Sequence, residues 1–233
     1  MNVLITGASK GIGYEAAKLF SREERITMYL IARSEEKLMQ LQKECLKINK
    51  KAIIKVMDLD LRELLNTDYN FELDCDHLDI LINNAGYLVN KDFVSLSKAE
   101  ILSMTQINFI APAELIRLCL PFLGGNQSSH VVNIASMGGF QGSVKFKGLS
   151  VYSATKAALA SLTECLAAEY AQQKIFFNCL ALGAVRTEML QEAFPGYKAP
   201  LNAEEMAGFI AEFAKSGYKF MNGKIVPVSL STP

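Results

Sequence analysis

Tyr152 and Lys156 lie four residues apart in Val151-Tyr152-Ser153-Ala154-Thr155-Lys156, within a stretch of helical periodicity. Positions i and i+4 share one face of a helix. An ammonium held beside a phenol favours the phenolate and lowers the tyrosine pKa from its reference of about 10. A tyrosine tuned in this way can give and take a proton near neutral pH. Taken alone, the spacing fits equally a half-buried tyrosine beside a solvated lysine. The other end of the chain separates the two readings.

There, Asn2 to Thr6 is a short apolar run that leads straight into Gly7-Ala8-Ser9-Lys10-Gly11-Ile12-Gly13. Ala16, Ala17, Leu19 and Phe20 then form an apolar helical face. Strand, glycine-rich turn and helix is the opening of a dinucleotide-binding βαβ unit. Glycine is needed because the turn is tight and its backbone must approach a pyrophosphate at the positive end of the helix. The spacing is Gly-x3-Gly-x-Gly rather than Gly-x-Gly-x-x-Gly, and a purely structural turn would also use it.

The elements that must position these groups alternate along the chain. Strands are expected near 2–6, 26–32, 52–57, 78–83, 130–135, 175–181 and 224–228, and helices near 12–22, 35–48, 98–122, 152–172 and 203–215. Ser97 with Glu100, and Asn202 with Glu205, have the form of capping boxes for two of these helices. The strands are mostly continuous Val/Ile/Leu runs, as in a parallel sheet covered on both faces. Right-handed crossovers then give a Rossmann-type doubly wound α/β sheet of about seven strands with helices on both faces. The polar, acidic segment 60–77 predicts a short or irregular helix. Nothing marks a linker, so residues 1–233 are read as a single domain.

Taken in order, these motifs resemble the short-chain dehydrogenase/reductase family over essentially the whole chain. The glycine turn matches its Thr-Gly-x3-Gly-x-Gly motif at Thr6 to Gly13, and Asn83-Asn84-Ala85-Gly86 matches its Asn-Asn-Ala-Gly motif. Ser136, Tyr152 and Lys156 match its catalytic set, with Asn108 as the fourth member. The resemblance implies that Tyr152 donates a proton to a substrate carbonyl as hydride arrives on the carbon. Ser136, at the carboxyl end of the fifth strand where ligands of such sheets bind, would hold that oxygen. Lys156 would stabilise the phenolate and hold the nicotinamide ribose, and Asn108 would link Lys156 to solvent through a water. No metal is needed, because the hard chemistry belongs to the nicotinamide. The resemblance also implies that Gly7, Ser9, Lys10, Gly11, Ile12 and Gly13 cradle the cofactor and that Asp58 and Leu59 border its adenine. Asn84, Ala85 and Gly86 would line its cleft, and Val185 and Thr187 would contact its carboxamide.

The second strand ends at Ile31-Ala32-Arg33-Ser34, where an NAD site usually places an acid for the ribose 2′-hydroxyl. A guanidinium at Arg33 would instead pair with a 2′-phosphate, and Lys10 could add a second positive charge. Each could also be an ordinary solvated charge. Together they favour NADP(H) over NAD(H).

Composition sets the outer bounds. Lys+Arg and Asp+Glu are both 24, so no basic field favours nucleic acid or anionic lipid. Five cysteines without a C-x-x-C pattern read as reduced thiols in the cytoplasm. Met1 is followed at once by a strand, so no signal peptide is expected, and no apolar run reaches the length of a membrane span. The two histidines, His77 and His130, stand apart from other ligand types, which argues against a metal site. By resemblance, a homodimer or homotetramer forms through helices 98–122 and 152–172.

Three stretches depart from the family pattern or bear on the substrate. Ser136 and Tyr152 are 16 positions apart, a few more than in the family, and the extra length falls in 143–148. There Lys145 and Lys147 could meet an anionic substrate, or the loop could be a solvated bulge. Leu182-Gly183 replaces the family's Pro-Gly, and the C-terminal segment 227–233 lacks its acidic-glycine ending. Met189, Leu190, Phe194 and Tyr197 read as a small apolar lid or as core. With Phe140 and Phe146, a lid would suit an apolar carbonyl compound, a 3-oxoacyl thioester among them. The enzyme reading is therefore an NADP-dependent oxidoreductase acting on a small carbonyl/alcohol pair. The alternative is a non-catalytic NADP-binding regulator of the same fold.

Overall fold

The computed structural model describes residues 1–66 and 69–230. Seven parallel strands form the central sheet: β1 (Asn2–Thr6), β2 (Thr27–Ala32), β3 (Ile53–Asp58), β4 (Ile80–Asn83), β5 (Ser129–Ser136), β6 (Ile175–Leu182) and, at the far edge, β9 (Lys224–Val228). Their order is β3-β2-β1-β4-β5-β6-β9. The order reverses between β1 and β4, and this switch point is where such sheets open a crevice at the carboxyl ends of their strands. Strand ends lie within two residues of those expected from sequence.

Alternation along the strands divides the core between two faces. Val3, Ile5, Met28, Leu30, Val132 and Leu180 point to one face, where α1 (Gly11–Phe20), α2 (Glu35–Ile48) and α7 (Ala203–Ser216) cover them. Leu4, Tyr29, Ile31, Val131 and Phe177 point to the other, beneath α4 (Ala111–Cys119) and α5 (Ser150–Glu169). Each fully buried Leu, Ile or Val side chain stabilises the fold by about 1.5–3 kcal/mol. Both expected capping boxes are formed, at Ser97/Glu100 and Asn202/Glu205.

The helix expected over 98–122 is not continuous. It runs as α3 (Lys98–Thr105), a π-helical turn Gln106–Ile110, α4, and a 3-10 turn Leu120–Phe122. Pro112 accounts for the break: it has no N–H to give the carbonyl four residues back, which is that of Asn108. Over 60–77 the only helix among the described residues is the short 3-10 turn Leu61–Leu65, capped by Asp60. Residues 67 and 68 of that segment, and 231–233 of the C-terminal ending, fall outside the described residues. A strand pair that sequence did not suggest, β7 (Val185–Arg186) with β8 (Leu201–Asn202), brackets α6 (Glu188–Ala193).

One buried hydroxyl fastens the sheet at the switch point. Thr6 Oγ1 accepts the N–H groups of Asn84 and Ala85, each at 3.0 Å. Replacing Thr6 by Val keeps the volume and leaves both amides without that acceptor. Thr6→Val is expected to lower the unfolding free energy by about 1–3 kcal/mol in urea titrations. A loss below about 0.5 kcal/mol, the scale of a neutral surface change, would show that this tie is dispensable.

Candidate active site

The carboxyl ends of β1, β4, β5 and β6 open onto one elongated cleft of about 680 Å³. Gly7, Ser9, Lys10, Gly11 and Ile12 wall one end, and Ser136, Tyr152 and Lys156 wall the other. Groups from distant parts of the sequence thus face a single cavity.

At the first end, Gly7 and Gly11 have φ of 67° and 59°, a region where a side chain is strained. Gly13 lies under the turn rather than on its surface, and a Cβ there would sit 2.6 Å from the Gly7 carbonyl oxygen and from Asn84 Nδ2. The Asn84 amide donates to Thr6 O at 3.0 Å and Gly7 O at 3.4 Å, so this side chain shapes the turn. Lys10, at the N-cap of α1, makes no side-chain cap hydrogen bond, and the first-turn amides of α1 stay available to an anion. These features fit a dinucleotide: a close glycine turn, open helix amides and a cleft long enough to reach Tyr152.

Charged side chains gather at this same end. Arg33 is exposed and lines the cleft. Asp60 lines it as well, and its carboxyl is held below the usual range, chiefly by the hydrogen bond from Arg62 and to a smaller degree by Arg33. Lys10 pairs with Glu188 at 2.9 Å, and this bond holds the Glu188 carboxyl down. Leu59 is on the cleft wall; Asp58 is exposed and off it, so the acid at this wall is Asp60 instead. Ala85, Gly86, Val185 and Thr187 all line the cleft. Thr187 caps α6 by accepting the Leu190 N–H at 3.3 Å, and its methyl would be 3.4 Å from a Cβ placed on Gly11. Thr187 thus stands close beside the glycine turn.

At the other end, Tyr152 and Lys156 rise from the first turns of α5, 9% and 3% exposed. Lys156 Nζ donates to the Ile134 carbonyl at 2.8 Å and stands 5.9 Å from the centre of the Tyr152 ring. Burial pushes the Tyr152 phenol up to about 12, with a hydrogen bond from the Ser136 hydroxyl opposing it. Burial also brings the Lys156 ammonium down to about 8. Burial thus moves the phenol in the opposite direction to that expected of a lysine neighbour, and Ser136 is the group that opposes it. A neutral phenol is the form that can donate a proton to a carbonyl oxygen.

Asn108 lies behind the cleft wall, fully buried within the π turn. Its Oδ1 accepts the Tyr87 N–H at 2.8 Å; its Nδ2 donates to Tyr87 O at 2.8 Å and to Thr155 Oγ1 at 3.1 Å. The side chain thus ties the Gly86–Tyr87 backbone to α5.

Lys145 and Lys147 do not reach toward a substrate. Lys145 Nζ donates to the carbonyls of Gly138 and Phe140 and to Ser143 Oγ, and Lys147 pairs with Asp92 at 3.3 Å. The substrate end is walled by Leu88, Ile107, Phe146, Leu149, Met189, Leu190, Phe194 and Tyr197, while Phe140 is absent from the lining. Sequence reading missed Asp60, Leu88, Ile107, Leu149 and Glu188. Of these, only Glu188 left a local signal, as an acid in the first turn of a helix.

Lys156 also sets a pH dependence. Between pH 8 and the ordinary lysine value of 10.5, the unfolded chain binds more protons than the folded one at this site. Stability contributed by Lys156 therefore rises with pH across that window. Lys156→Met removes the rise, so its stability relative to wild type should fall as pH climbs from one end of the window to the other. Urea titrations at both ends check this, and a constant difference would mean that Lys156 is not desolvated.

A family model described as short chain dehydrogenase matches residues 1–198. Fatty acyl-CoA reductase of Acinetobacter baylyi is 31% identical over 211 residues, 89% of this chain and 70% of its own. Ketoacyl reductase HetN of Nostoc is 38% identical over 168 residues, 72% of this chain and 57% of its own. Among solved structures, a short chain dehydrogenase from Escherichia coli CFT073 complexed with NADPH superposes with a TM-score of 0.81. It is 27% identical, with 97% of this chain and 95% of that one covered.

Proposed function

We propose that this chain, which belongs to the short-chain dehydrogenase/reductase family, is an NADP-dependent oxidoreductase that interconverts a carbonyl and an alcohol. The observation that carries the reading is the shared cleft, with an anion-ready glycine turn at one end and, at the other, Ser136 beside the buried Tyr152 and Lys156.

A nicotinamide cofactor, held by the glycine turn and lying beside Tyr152 and Lys156, would supply the hydride for this reaction. The protein's own residues manage the oxygen. Ser136 donates its hydroxyl proton to the carbonyl oxygen in a hydrogen bond and so holds it beside Tyr152. Tyr152 gives up its phenolic proton as the oxygen gains charge, completing the alcohol. Lys156 stands beside the phenolate left behind and stabilises it. The apolar lining excludes water and strengthens each of these interactions. In the reverse direction the phenolate accepts the alcohol proton.

For the cofactor, Arg33 and Lys10 support a 2′-phosphate. Of the acids on the same wall, Asp60 is already partnered by Arg62, and Lys10 would exchange Glu188 for the phosphate. The E. coli neighbour complexed with NADPH points the same way. For the substrate, the apolar walls and the two reductases of acyl compounds among the relatives support a 3-oxoacyl thioester or a similar apolar carbonyl compound. Five free thiols support the cytoplasm, and exposed Leu102 and Ile110 support pairing of copies across the 98–122 region.

Tyr152→Phe should lower kcat by about 10²–10⁴-fold in carbonyl reduction assays while leaving NADPH affinity within about twofold. Substantial residual turnover would remove Tyr152 as the acid. Calorimetry with NADPH and NADH should favour NADPH, and Arg33→Glu should weaken NADPH binding far more than NADH binding. Equal losses would take the 2′-phosphate away from Arg33.

A further inference from the structure

The loop that lengthens the chain between Ser136 and Tyr152 folds back on the turn that carries Ser136. Three N–H groups of Lys145 Nζ meet three acceptors: Gly138 O at 2.9 Å, Phe140 O at 2.6 Å and Ser143 Oγ at 2.9 Å. An ammonium has three donors and no acceptor, so this arrangement uses it completely. Ser143 Oγ, bonded to that cation, donates in turn to the Met137 carbonyl, with Phe140 O nearby at 2.9 Å. Met137 C=O and Gly138 N–H belong to one peptide unit. That N–H donates to Ser136 Oγ at 3.1 Å. The links run in one direction, from the ammonium through the Ser143 hydroxyl and the 137–138 peptide to the oxygen of Ser136. Chains of this kind polarise one another, so a charge at the start strengthens the last bond.

The consequence falls on the Ser136 proton. A serine hydroxyl has one hydrogen and two lone pairs. With Oγ held as an acceptor by Gly138 N–H, its single O–H is the donor left for the cleft, shared between the Tyr152 oxygen and an incoming carbonyl oxygen. The backbone permits the arrangement because of its glycines. A Cβ on Gly138 would lie 2.7 Å from Ser153 Oγ, and one on Gly139 would lie 2.7 Å from Ala157 N, so the turn rests directly on α5.

We propose that Lys145 is a positioning residue that fixes Ser136 as a hydrogen-bond donor, acting through Ser143 and the Met137–Gly138 peptide. The inference rests on the role given to Ser136 above and adds to it the purpose of the 143–148 loop.

A double-mutant cycle tests the link. Lys145→Met should lower kcat about tenfold with KM nearly unchanged, and Lys145→Arg, which keeps charge and donors, should recover most of the loss. In a Ser136→Ala background, Lys145→Met should cost less than about twofold more, because both act through one hydroxyl. Independent, multiplying losses would overturn the proposal. Hydrogen exchange at the Gly138 amide supplies a readout that needs no substrate. Protection there should fall about tenfold in Lys145→Met and hold in Lys145→Arg. Unchanged protection in Lys145→Met overturns the link whatever the kinetics show. A wild-type protein that reduces no carbonyl, yet loses Gly138 protection in Lys145→Met, would instead remove the reductase reading and leave the structural link standing.

Discussion

The cleft depends on keeping one ammonium out of water. Lys156 is held against the Ile134 carbonyl, near the carboxyl end of β5, by α5 packed along the sheet. An unpaired cation in such a place would be costly, so the surroundings must supply dipoles rather than solvent. The π turn and its buried Asn108 hold the Gly86–Tyr87 backbone on one side, and the glycine turn after Ser136 closes in on the other. Each departs from regular structure: a π turn before Pro112, and glycines where a Cβ would collide.

Charge is distributed unequally along the cleft. Arg33, Lys10, Asp60 and Glu188 lie toward the glycine turn. The other end is apolar apart from the hydroxyls and Lys156. A ligand with one anionic part and one apolar reacting part matches this division, as a phosphorylated dinucleotide beside a neutral carbonyl compound would. The Lys10–Glu188 pair spans the mouth between the glycine turn and the lid. Its partners are 43% and 58% exposed, so it is weak and readily exchanged for another anion.

Ties between loops give the substrate end its rim. Lys147 reaches Asp92, Lys91 N–H bonds Gly148 O, and Asn90 Nδ2 bonds Ala193 O at the end of α6. Three segments far apart in sequence are fastened to one another around the opening. The two lysines that looked like anion receptors in the sequence are part of this fastening and of the turn beneath it. The positive field available to a substrate is correspondingly smaller than a residue count suggests.

The fold was legible because its signals are local and repeated. Apolar β-branched runs, capping boxes at Ser97 and Asn202, and glycines after β1 each follow from short-range sterics and hydrogen bonding, and strand positions read from them were close. The pairing of Tyr152 with Lys156 was legible too, since the two share a helix face at any tertiary arrangement. Their ionisation was not. Whether the lysine lowers the tyrosine pKa or burial raises it depends on how completely water is excluded, and that is set by the sheet, the π turn and the Ser136 turn together. The same holds for Lys145, Lys147, Asp60 and Glu188, whose partners come from segments the sequence does not place side by side. Local propensity fixed the elements and the chemical types; only tertiary packing, through desolvation and long-range pairing, decided which charges stay free to act.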